Sequence, residues 1–123
     1  MVKFDERAIL DNGAYIYAMR QEIEAIADAV CEKGFDNILF TASGGSLAMM
    51  QPFDYMISVM SGLDVRSQVS AELLGIGNNR LTDRTLVFMA SKSGDTKETV
   101  EAAGYVKEKG AAIISVLGVE GSP

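Results

Sequence analysis

Ser91, Ser93 and Thr96, with Gly94 among them, follow the apolar run Leu86-Val87-Phe88-Met89-Ala90 and open a helical pattern. Hydroxyl side chains and a glycine at a helix N-terminus form an anion cradle, because the free backbone N–H groups and the helix dipole both favour negative charge there. A phosphate group is the natural guest. A second cluster, Ser43-Gly44-Gly45-Ser46, follows another apolar run, Asn37 to Ala42. Gly44, Gly45 and Gly94 let a ligand approach the backbone, and Ser43, Ser46, Ser91, Ser93 and Thr96 supply neutral hydroxyls. Each loop alone also suits turn or cap chemistry, with Ser46 as a helix N-cap, and Lys92 and Lys97 also suit plain solvated charge. Neither loop ends in Gly-Lys-Ser/Thr, and Gly-x-Gly-x-x-Gly is absent, so nucleotide and dinucleotide binding are weak alternatives.

The elements that must position these loops can be read from periodicity. Ile16, Met19, Ile23, Ile26, Ala27 and Val30 recur at helical spacing, which predicts an amphipathic helix from about Ala14 to Lys33 capped by Gly34. Asn12-Gly13 reads as a turn, leaving the first dozen residues as a short separate piece or mobile arm. Asn37 to Ala42 suits a strand buried on both faces. Leu47, Met50, Phe53, Ile57 and Met60 define a helix bent at Pro52. Strands are expected at Asp64 to Val69, Thr85 to Ala90 and Ala111 to Leu117. A short segment at Ala71 to Leu74 follows the first of these, and a helix capped by Gly110 follows the second.

Alternating strands and helices require parallel pairing, with helices on both sheet faces. The expected fold is therefore α/β, a three-layer α/β/α doubly wound parallel sheet of order 2-1-3-4, with the fifth strand absent or in sequence beyond this chain. Strands one and three are neighbours at the topological switch point of that order, so both serine-glycine loops face one crevice. Residues 1–34 are taken as an N-terminal arm and helix, and 35–123 as the binding domain, incomplete at its C-terminus because nothing covers the sheet after the last strand.

Composition narrows the chemistry. Seventeen acidic against eleven basic residues, a net charge of −6, argue against a protein that grips nucleic acid. No apolar run reaches the roughly 20 residues of a membrane helix, and the charged N-terminus lacks a signal core, so no membrane partner and a cytoplasmic location are expected. The chain has no histidine and one cysteine, Cys31, which reads as a packed thiol on the apolar side of its helix. Proton transfer would fall to a carboxylate, a lysine, a tyrosine or water.

Ala42-Ser43-Gly44-Gly45-Ser46 resembles the Gly-Ser turn of the sugar isomerase (SIS) domain family of phosphosugar-binding proteins. Ala90 to Thr99 is similar to that family's Ser-x-Ser-Gly-(Glu or Asp)-Thr-x-(Asp or Glu)-Thr signature. The likeness spans roughly Phe35 to Pro123, and the helix from Ala14 resembles the N-terminal helix of many members. Within the family the arrangement is most similar to the isomerase half of glucosamine-6-phosphate synthase and to fructosamine-phosphate deglycases. The resemblance implies that Ser43, Gly44, Gly45, Ser46, Ser91, Lys92, Ser93 and Thr96 hold a sugar phosphate: fructose 6-phosphate, glucose 6-phosphate or an amino sugar phosphate. It also implies an isomerase or deglycase needing no metal or organic cofactor, assembled as a homodimer or larger homo-oligomer. Glu72 resembles an acidic residue often found after strand two; a surface or capping role is an equal reading of it. Catalytic members place acid-base residues in later helices, a second SIS domain or a neighbouring subunit, so this chain is expected to bind without supplying them. A non-catalytic sugar-phosphate sensor and a purely structural α/β piece that pairs with another chain stand as alternatives.

Overall fold

The structure, a computed structural model, describes residues 5–119, 121 and 122. It divides into two compact units, Met1–Gly34 and Phe35–Pro123. The first holds two helices, α1 (Glu6–Ala18) and α2 (Arg20–Lys33). Helix α1 starts where the Asp5 carboxylate accepts the Ala8 N–H at 3.1 Å, an N-cap that satisfies one of the free donors of the first turn. That cap carries the helix straight through Asn12-Gly13, correcting the expected turn. The roughly 1 kcal/mol that a glycine costs in a helix is too small to break it there. The break falls instead at Met19, whose N–H is shared between the carbonyls of Tyr15 and Ile16 at 3.2 and 3.1 Å. The expected single helix from Ala14 is thus two. Gly34 closes α2 as anticipated. No residue of α1 or α2 is buried, and Cys31 is exposed rather than packed, because the apolar stripe on which it lies is left uncovered.

The second unit is a four-stranded sheet, β1 (Asn37–Ala42), β2 (Asp64–Val69), β3 (Thr85–Ser91) and β4 (Ala112–Leu117), in the order β2-β1-β3-β4. Every pairing is parallel, with Asn37 opposite both Asp64 and Thr85, and Leu86 opposite Ala112. The two central strands are nearly all buried, as their largely apolar sequences without polar alternation require, whereas β2 and β4 at the edges are largely half-buried or exposed. Helices α3 (Gly45–Met60), α4 (Ser70–Ile76) and α5 (Lys97–Glu108) connect the strands, and α3 runs on through Pro52.

Side chains alternate across the sheet. Leu39, Val87 and Met89 meet Leu73 of α4 and Ala102 and Val106 of α5 in one core. Phe40 and Phe88 stack at 5.2 Å on the opposite face, the side served by α3. Far from the carboxyl ends of the strands, Arg84 grips Asp36 at 2.9 Å, and this bond raises the guanidinium pKa.

Candidate functional site

Residues Ala42 and Ala90 are register partners at the ends of the central strands, so the loops that follow them leave the sheet side by side. Helix α3 carries the chain from β1 to one edge and α5 carries it from β3 to the other. The two loops therefore diverge at the switch point, where a crevice must open.

Loop Ser91–Thr96 is built around one hydroxyl. Ser91 is 3% exposed, and its Oγ accepts the Gly94 N–H at 3.0 Å and lies 3.1 Å from Thr96 Oγ1. Gly94 has φ +80°, a conformation that costs an L side chain about 1–2 kcal/mol. Thr96 is the N-cap of α5, and its carbonyl accepts from Thr99 and Val100 at 2.9 and 3.0 Å. Its hydroxyl, taken up by Ser91, does not cap the helix. The first N–H groups of α5 thus keep their pull on an anion.

The opposite loop is set by Gly44, the N-cap of α3, which places Ser46 inside the first helical turn rather than at the cap. Ser43 Oγ is buried with no hydrogen-bond partner among the described residues. Buried hydroxyls are nearly always paired, so one left open beside a cleft marks a place for a ligand or water.

Between the loops lies an open cleft of about 530 Å3, within the range of small-molecule sites. Ser43, Gly45, Ser46, Ser91 and Lys92 form its polar side. Gly44, Ser93 and Thr96 belong to the same loops but do not line it, Gly44 and Ser93 being exposed and Thr96 half-buried. Glu72 is exposed in the first turn of α4 and is not part of the lining. The sequence reading missed the apolar wall: Met49 from α3, and Val116, Leu117 and Gly118 from the end of β4. Strand order alone could have located β4, since its carboxyl end lies next to that of β3. Gly118 N–H bonds the Ser91 carbonyl at 3.2 Å, and a Cβ built on Gly118 would run into the Lys92 carbonyl oxygen.

Thr99 is the other residue the reading passed over. It is 7% exposed, its Oγ1 has no hydrogen-bond partner among the described residues, and it shares a hollow of about 40 Å3 with Ser91 and Gly94. Its signal was present as the last hydroxyl of the segment. Among the described residues no group of three or more His, Cys, Asp or Glu could hold a metal ion, and no helix is long and apolar enough to cross a membrane.

Comparison with known proteins agrees with this geometry. Residues 34–123 match the SIS domain family. The chain belongs to that family. The fructosamine deglycase FrlB of Bacillus subtilis is 33% identical over 106 residues, covering 85% of this chain and 32% of that protein. The isomerizing glutamine--fructose-6-phosphate aminotransferase of Methanococcus maripaludis is 35% identical over 118 residues, covering 96% of this chain and 18% of that protein. The SIS chain therefore spans about a third or less of the length of these curated relatives. A crystal structure of a candidate phosphosugar isomerase from Salmonella typhimurium LT2 superposes with a TM-score of 0.74 at 32% identity, covering 81% of this chain and 30% of that one. The expected parallel sheet of order 2-1-3-4 is the observed SIS fold.

Proposed function

We propose that the cleft between the Ser43–Ser46 and Ser91–Thr96 loops binds a sugar phosphate, as part of an aldose–ketose isomerase or fructosamine-6-phosphate deglycase acting on an amino sugar phosphate. One observation carries this reading. A hydroxyl-lined cleft at the switch point contains a buried, unpartnered Ser43 Oγ, beside a loop whose hub, Ser91, leaves the α5 N-terminus open to an anion. The relatives that act on fructosamines and fructose 6-phosphate support the substrate class.

The chemistry would be ring opening, proton transfer between C1 and C2 through an enediol or enaminol, and, for a deglycase, hydrolytic release of the amine. Among the described residues no carboxylate lines the cleft, and the chain has no histidine. We therefore place the acid-base groups outside this chain, in a further domain or a neighbouring subunit, and give Glu72 no catalytic part. This chemistry calls for no metal or organic cofactor. Cytoplasmic location and assembly as a homodimer or larger homo-oligomer complete the reading, and the apolar side chains exposed along α3 at Met49, Phe53, Met56 and Met60 are compatible with self-association.

A sensor that binds the sugar phosphate without converting it is the second reading, and the absence of any carboxylate from the lining among the described residues favours it. Incubating the protein with fructose 6-phosphate and following aldose–ketose exchange by proton NMR tests whether this chain converts the sugar it binds. Binding without exchange supports the sensor or an incomplete active site, and exchange supports the enzyme.

A further inference from the structure

We infer that the Lys92 ammonium makes the cleft selective for the dianionic form of its ligand's phosphate, an inference that rests on the sugar-phosphate reading above. Among the described residues, Lys92 is the only charged one lining the cleft. The other polar donors there are hydroxyls and N–H groups, which favour an anion through partial charges only. Lys92 adds a full unit charge, whose attraction grows with each negative charge on the ligand. In a chain of net charge −6 that attraction must be local.

The lysine is held where it can act. Its carbonyl packs against Gly118, and the neighbouring Ser91 carbonyl accepts the Gly118 N–H at 3.2 Å, so the root of the side chain is fixed at the cleft wall while the side chain itself is exposed. Among the described residues no carboxylate lies within the 4.0 Å of an ion pair with it; the neighbouring cation, Lys97, is by contrast paired with Glu101 at 3.9 Å. Among the described residues the charged groups on the surrounding elements are few. Asp95 shares the loop, and Lys97 and Glu98 open α5. Helix α3 offers only Asp54, whose carboxylate is engaged by Ser58 and Ser67, and β4 carries no charge.

The absence of histidine makes the inference testable by pH. No side chain of this protein has an ordinary pKa between 5 and 7.5, whereas a phosphate monoester loses its second proton near pH 6. Above that point the ligand is a dianion and the lysine attracts it more strongly. Affinity of the intact protein should therefore rise from pH 5 to pH 7.5.

Calorimetric titration with fructose 6-phosphate at pH 5 and pH 7.5, in low and high salt, compares the wild type with Lys92→Gln, Lys92→Arg and Lys109→Gln. Lys92→Gln should weaken binding roughly threefold to tenfold at pH 7.5 and low salt, and less at pH 5 or in high salt. Lys92→Arg should retain the wild-type pH profile, and Lys109→Gln, an equal change of net charge at the far end of α5, should leave affinity unaltered. Equal loss at both pH values, or no loss in Lys92→Gln, overturns the role of Lys92 while leaving the cleft assignment in place. No binding of fructose 6-phosphate by the wild type overturns both.

Discussion

Ser43 and Ser91 are both serines on loops that follow buried strands, yet they stand in opposite hydrogen-bonding situations. Ser91 Oγ already holds the Gly94 N–H and meets Thr96, so replacing it strands buried partners. Ser91→Ala should cost about 1–3 kcal/mol of stability in urea titration and weaken sugar-phosphate binding as the loop loosens. Ser43 Oγ has no partner to lose among the described residues. Ser43→Ala should leave the urea midpoint within about 0.5 kcal/mol of wild type while lowering affinity for fructose 6-phosphate. If Ser43→Ala keeps full affinity, the open hydroxyl belongs to water and not to the ligand.

Elements decide whether such residues ever meet. Leu73 of α4 is fully buried in the core shared with α5 and the central strands, and Leu73→Ala should cost about 2–5 kcal/mol, read as a lower urea midpoint. Gly118, at the end of β4, tests the joint between strand and loop. A methyl group there meets backbone, not a movable side chain, so Gly118→Ala should shift the Ser91–Lys92 segment and weaken ligand binding. Unchanged affinity in that variant would show that β4 does not set the loop.

What could be read from the sequence also divides by element. The strands announced themselves, since Asn37 to Ala42 and Thr85 to Ala90 are mostly apolar with no polar alternation and Gly34 and Gly110 mark helix ends. The N-terminal helices did not. Asn12-Gly13 is a turn signal by composition, but the Asp5 cap starts a helix that outlasts it, and nothing in the local sequence marks Met19 as the break. Cys31 was misread for a related reason, because amphipathic spacing shows which face is apolar and not whether anything covers it. In the site, the polar residues could be found from type and spacing. The apolar wall of Met49, Val116 and Leu117 is made by tertiary placement of residues that look like ordinary core.

At the scale of the whole molecule, a net charge of −6 would have to coexist with the anionic ligand we propose, so binding would depend on local dipoles, hydroxyls and one lysine rather than on a basic surface. The many apolar side chains left exposed on the helices, Ile16, Ile23 and Ile26 in the first unit and Phe53, Met56 and Met60 in the second, lead us to expect self-association. Sedimentation velocity at micromolar concentration should show a dimer or larger species, and a monomer throughout would remove assembly from the account. The central claim, a phosphosugar-binding cleft, is tested most directly by calorimetric titration of the intact chain with fructose 6-phosphate and, in parallel, with fructose. The account predicts saturable one-site binding of the phosphate ester, weakened by Ser43→Ala, and no measurable binding of fructose; equal binding of both sugars, or of neither, would contradict it.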